Sequence, residues 1–268
     1  MKKKILKTVF IILWVLLAGG VITLAGLTLA VHQDAVCSSY TIDIDYGKAD
    51  VLVTKEDIYN IVKKTGFILK GQPVRYIDAE KIESSIRRQP YIASAEVFLS
   101  MEGDVSITVV QRQPILRVFN QKGESYYLDG KGKVLPLNPD FSARVLIASG
   151  AIDEPLQRNL NYSLDSVRAK DSLVYRSVMN NLFRLATYIV KVPFLKAQIE
   201  QIYVDKNGEM ELVPRVGNNI ILFGDAENIA DKFTRLYIFY RMGLNRTGWN
   251  SYPVINIKYQ HQVVCSKI

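Results

Sequence analysis

From Phe10 to Val31 the chain reads FIILWVLLAGGVITLAGLTLAV without a single charge. A helix rising about 1.5 Å per residue over that length reaches across a hydrocarbon core roughly 30 Å thick. The sequence therefore predicts one transmembrane helix over 10–31. Lys2, Lys3, Lys4 and Lys7 precede it, and Asp34 is the first charge after it. The positive-inside rule then predicts a cytoplasmic basic tail over 1–9 and an exported remainder, a single-pass topology. A cleaved signal peptide fits less well, because its apolar core usually runs only about 7 to 15 residues.

With the anchor set apart, the remaining length suits two modest domains. The 34 Lys and Arg against 26 Asp and Glu give a formal charge of +8, but four of the cations lie in the tail, leaving 30 against 26 outside it. Lys63, Lys64, Arg87 and Arg88 fall on polar faces of predicted helices, which reads as solvated surface and gives nucleic acid no support. Cys37 lies just outside the membrane and Cys265 near the C-terminus, so no intramolecular bridge and no metal spacing is expected.

Chemistry is equally unsupported. The two histidines, His32 and His261, have no nucleophile or carboxylate arranged beside them in sequence, and no phosphate loop or zinc-protease motif occurs. Asp43-Ile44-Asp45 imitates a metal-binding acidic pair but reads better as alternation on a strand. The expectation is a protein that is not an enzyme, with no catalytic or metal site, no cofactor and no small-molecule substrate.

The exported chain is α+β. Tyr40–Tyr46 alternates as a strand; Thr54 with Asp57 three residues on starts a helix bearing Ile58, Ile61, Val62 and Thr65, stopped by Gly66. Asp78 starts a second helix with Ala79, Ile82 and Ile86, ended by Pro90. Two strands follow, one with Ala95, Val97 and Leu99 inward, the other with Val105, Ile107 and Val109 inward, joined at Glu102-Gly103. The order β-α-α-β-β over 38–113 makes a small module. Over 114–268 the texture turns to short strands at Ile115–Phe119, Tyr126–Leu128, Val134–Leu137, Val145–Ile147, Ile199–Val204, Met210–Val213 and Ile220–Phe223. Two helices flank them, from about Asp171 to Val190 and from near Asp225 with Ile229, Phe233, Leu236 and Tyr240 in one stripe. This is a larger β-rich domain ending on a strand.

The first module resembles a POTRA domain. Pro90-Tyr91-Ile92, Ala95-Glu96-Val97, Val105-Ser106-Ile107-Thr108-Val109 and Arg112-Gln113-Pro114-Ile115 together resemble the stretch that marks the FtsQ/DivIB family of cell-division proteins, with Gln111 where that family usually has Glu. The likeness continues through Tyr127-Leu128-Asp129-Gly130-Lys131-Gly132-Lys133-Val134-Leu135, Ile221-Leu222-Phe223-Gly224 and Ile255-Asn256-Ile257-Lys258-Tyr259, where Asn256 and Lys258 stand for Asp and Arg.

The resemblance implies a membrane-embedded scaffold of the bacterial divisome, in the inner (plasma) membrane at the septum. Its partners would be FtsB/DivIC-like and FtsL-like membrane proteins and other division components. It would control septal peptidoglycan synthesis by recruitment. The partner site it implies is the last strand, taken here as Ile255, Asn256, Ile257, Lys258, Tyr259, Gln260, His261, Gln262, Val263 and Val264, with Tyr259 as anchor and Lys258 steering an acidic partner. Because no later strand follows in sequence, this strand is expected to be an open sheet edge. A POTRA-bearing chaperone or translocation component is the alternative, set back by the lack of tandem modules or a barrel pattern.

Overall fold

The computed structural model describes residues 12–23, 36–100, 102–153 and 178–266. Of the uncharged N-terminal segment, residues 12–23 form a helix, α1, whose apolar side chains from Ile12 to Leu17 and at Val21 and Ile22 are exposed. Among the described residues no helix is long and apolar enough to cross a membrane. The basic tail, the rest of the 10–31 segment and His32 lie outside the described residues.

Two compact units follow. In the first, β1 (Tyr40–Asp45), α2 (Lys55–Lys64), α3 (Ala79–Arg87), β2 (Ile92–Leu99) and β3 (Val105–Gln111) appear in the expected order. The capping box of α2 is complete. Asp57 N–H donates to Thr54 Oγ1 at 3.2 Å and Thr54 N–H to Asp57 Oδ2 at 2.8 Å, which satisfies two of the donors a helix start leaves orphaned. Asp78 caps α3 with a single bond, its Oδ1 accepting Lys81 N–H at 2.9 Å. The sheet order is β1-β3-β2, with β1 parallel and β2 antiparallel to the central β3. Val105, Ile107 and Val109 are buried with Ile58, Val62, Ile82 and Ile86, so the two helical stripes share one core with the sheet. Asp43 and Asp45 point outward on either side of buried Ile44, as alternation requires.

The second unit holds Arg112 onward and also Tyr46–Leu52, a segment inside the stretch that the sequence allots to the first module. Its strands are β4 (Pro114–Phe119), β5 (Ser125–Asp129), β6 (Val134–Leu135), β7 (Leu146–Gly150), β8 (Ile199–Val204), β9 (Met210–Pro214), β10 (Ile220–Gly224), β11 (Val254–Asn256) and β12 (Val264–Ser266). They form one sheet in the order β12-β11-β10-β9-β8-β7-β4-β5-β6. The pairs β4/β7, β7/β8 and β10/β11 are parallel and the others antiparallel. Helices α4 (Val178–Lys191), α5 (Pro193–Gln198) and α6 (Ile229–Phe239) complete the unit, and the start expected for α4 near Asp171 lies outside the described residues. Leu182, Leu185 and Ile189 of α4 and Phe233 and Leu236 of α6 join Leu116, Ile202, Leu212, Ile221 and Ile255 in one core. Tyr188 of α4 stacks on Phe233 of α6 at 5.5 Å between ring centres.

Three hairpin turns repeat one piece of chemistry. Asn120, Asp129 and Asp205 each accept, through side-chain Oδ1, the backbone N–H groups two and four residues on, at 2.8 to 3.1 Å. The residue three on is Gly123, Gly132 or Gly208, with φ of 78°, 75° and 81°. Only glycine adopts that backbone cheaply, so Asx at the start and Gly at the bend specify the reversal locally. Asp129, almost fully buried, also takes a 2.9 Å ion pair from Arg112. Gln111 is buried and accepts Val53 N–H at 3.2 Å, a bond that a neutral amide supplies without burying a charge.

Candidate partner-binding edge

The C-terminal stretch is a reversal, not the single strand Ile255–Val264 expected from its alternation. β11 covers only Val254–Asn256 and is flanked on both sides, by β10 and by β12, so Ile255 lies inside the sheet. Ile257 continues inward, buried, with its N–H on Leu222 O at 3.0 Å. The chain then leaves the sheet and turns at His261, whose φ of 59° is a left-handed conformation uncommon outside glycine. It returns as β12, with Val264 opposite Asn256 and Cys265 opposite Ile255. The open edge thus moves from β11 to β12, which stands last in the sheet order.

Arg235 of α6 holds this reversal. Its guanidinium donates to Gln262 O at 2.7 Å, to Ile257 O at 3.3 Å and to Tyr259 O, while its Nε takes a 3.0 Å bond to Asp231, one helical turn back. The planar fork of arginine suits several acceptors at once, and carbonyls that have left the sheet ladder need donors. In sequence Arg235 reads only as the partner of Asp231 at i, i+4. Nothing local signals its reach to a loop more than twenty residues away.

The expected site residues separate accordingly. Ile255 and Ile257 are core. Asn256 folds its Oδ1 onto Lys258 N–H at 3.0 Å. Lys258 Nζ is bound to Glu209 Oε2 at 2.7 Å, a bond that holds the ammonium above its ordinary pKa against the opposing effect of burial. Tyr259 remains 53% exposed and does not pack the core. Gln260, His261 and Gln262 are exposed, Val263 is partly buried and Val264 opens outward on β12.

Beside the loop lies an open groove of about 370 Å³ with walls formed by Ile238, Phe239, Met242 and Val263. Met242, 63% exposed, belongs to a π-helical stretch, Tyr240–Leu244, that continues α6. Such distortions concentrate at functional surfaces. The residues that sequence reading misses are therefore Arg235, Ile238, Met242, Cys265 and Ser266. The thiol of Cys265, raised in pKa by burial, and that of Cys37, raised by burial and then by the Asp104 charge, are both free.

The chain is similar to known proteins over both units. Residues 113–266, more than half of the chain, match the family described as FtsQ/DivIB, C-terminal related, and residues 35–110 match the POTRA-like domain. A similar curated protein is the cell division protein FtsQ of Chloroflexus aggregans, 25% identical over 111 residues, which amount to 40% of this chain and 40% of that protein. The second of these matches falls on the small β-α-α-β-β unit and the first on the long mixed sheet, and the chain belongs to the FtsQ/DivIB family.

Proposed function

We propose that the chain is a bitopic scaffold of the division machinery. The apolar N-terminal segment anchors it in the inner (plasma) membrane with the N-terminus cytoplasmic, and both units lie outside the cytoplasm. The edge of the second unit receives an FtsB/DivIC-like partner, an FtsL-like protein joins it, and together they recruit and restrain the septal peptidoglycan synthase at the division site.

The observation that carries this reading is β12. A strand at the end of a sheet offers a row of N–H and C=O groups, and a partner strand that adds to it gains a backbone ladder. Next to that edge stand the exposed Tyr259 ring and the Ile238–Met242 groove, which can select the partner's side chains. Aromatic residues of this kind dominate interface energetics. The anchor reading draws on α1, whose exposed apolar side chains suit lipid better than water.

The test uses full-length Tyr259→Ala and Cys265→Pro. Val254 and Asn256 face β12, so Val264 N–H bonds into the sheet while Cys265 N–H points to the open edge, where proline removes it and adds a ring. Both variants should keep the circular dichroism of the parent yet fail to co-purify the FtsB/DivIC-like partner and fail to support division in depleted cells. Partner capture by both folded variants would sink the proposal.

A further inference from the structure

The second unit carries another concavity, away from β12 in the sheet order, at β4, β7 and β8. Its volume of about 1070 Å³ is at or above the upper end of small-molecule pockets, roughly 300 to 1,000 Å³. Six cations line it: Lys48, Arg117, Arg144, Lys191, Lys196 and Arg215. Only Asp50 and Glu200 oppose them there, and Asp50 already accepts Arg144 N–H at 2.8 Å. Among the described residues Lys48, Arg144, Lys191, Lys196 and Arg215 are exposed and none is held in an ion pair. Arg117 lies over the Phe119 ring at 4.8 Å with its Nε on Ser125 Oγ at 3.1 Å, which fixes its guanidinium.

The cations come from stretches far apart in sequence, so the concentration of charge is a product of folding. Like charges gathered around one hollow repel each other, and an anionic occupant relieves that repulsion. Between them the floor is apolar, made by Pro114, Ile115, Val145 and Ile147. We propose that this groove binds an acidic peptide segment of a protein partner, one that alternates carboxylates for the rim with aliphatic side chains for the floor. A flat anionic lipid surface cannot follow a concave wall, and a phosphate polymer has nothing to place on the apolar floor. The site is separate from the edge at β12 and does not depend on the partner proposed for it.

The test is fluorescence anisotropy on the full-length protein in detergent, with a short fluorescein-labelled peptide of Glu-Glu-Leu repeats as the probe. Binding should be saturable and weaken as salt rises. Lys191→Glu with Lys196→Glu, and separately Arg144→Glu with Arg215→Glu, should each weaken it about tenfold or more, since like charges set against a partner are strongly unfavourable. The neutral pair Lys191→Gln with Lys196→Gln should fall between, which keeps the test intact if a reversal misfolds. Lys63→Glu with Lys64→Glu, on α2, and Tyr259→Ala should leave binding unchanged. The inference is overturned if the parent protein does not bind the peptide or if the groove variants bind it as well as the parent. It is equally overturned if phosphatidylglycerol vesicles or soluble polyphosphate bind more tightly with the same dependence on the variants.

Discussion

Lys258 Nζ and Glu209 Oε2 lie 2.7 Å apart, tying the loop after β11 to the turn ahead of β9. The residue expected to steer a partner is thus already engaged within the unit. Both side chains are partly exposed, and ion pairs of that kind are worth only about 0.2–1 kcal/mol. Lys258→Ala should lower stability by no more than about that amount and leave partner capture in place, as urea titration and co-purification would show. The bond with Glu209, offset in part by burial, raises the ammonium's pKa, so the pair's contribution is complete below the unfolded value and fades as pH rises through the folded one.

Arg235→Ala should act differently. It strips charge-assisted donors from Gln262 O, Ile257 O and Tyr259 O, each such bond being worth about 1.5–3 kcal/mol. The expected result is faster hydrogen exchange over 257–266 and a lowered melting temperature with the core still folded. Unaltered exchange in that stretch would mean that the reversal is held by its own turn geometry.

Ile107→Asp should unfold the first unit. Ile107 is fully buried at the centre of the three-stranded sheet, and an unpaired carboxylate there costs several kcal/mol, comparable to the whole stability of a small domain. In full-length protein the variant should lose one thermal transition and gain protease cleavage within 40–111. An unchanged melt would contradict the inward face assigned to β3.

Acid should loosen the second unit through Asp225. Burial works to raise this carboxyl, but the bond from buried Lys232 at 2.7 Å, the N–H of Glu227 and the Lys232 and Arg184 charges outweigh it, leaving its pKa below the ordinary value. A depressed folded pKa gives stability that is present above the unfolded value, about 3.9, and is lost as pH falls through the folded one. Melts between neutral pH and pH of about 3 should show that loss, and Asp225→Asn should flatten it. An identical acid limb in the variant would exclude Asp225 as its source.

Much of the fold is legible in local sequence because its causes are local. Thr54 with Asp57, Asp78, and the Asn120/Gly123, Asp129/Gly132 and Asp205/Gly208 turns each close their hydrogen bonds within four residues. The alternation of Val105, Ile107 and Val109 and the stripe of Phe233, Leu236 and Tyr240 likewise declare their buried faces. The candidate site is less legible. β11 and β12 are three residues each, too short for a period to distinguish two strands with a bend from one longer strand.

By itself, then, the sequence determined the uncharged N-terminal segment, the order of elements, the turns and the inward faces, since all of these depend on neighbours along the chain. Only the tertiary structure decided that Tyr46–Leu52 packs with the second unit, that β4 and β8 flank β7 in parallel, and that β12 rather than β11 is the sheet's edge. It also decided that Arg235 serves carbonyls far away in sequence and that six scattered cations meet at one groove. Those relationships depend on burying the surface of the whole unit at once and on satisfying backbone groups across long loops, and no window of local sequence contains both partners.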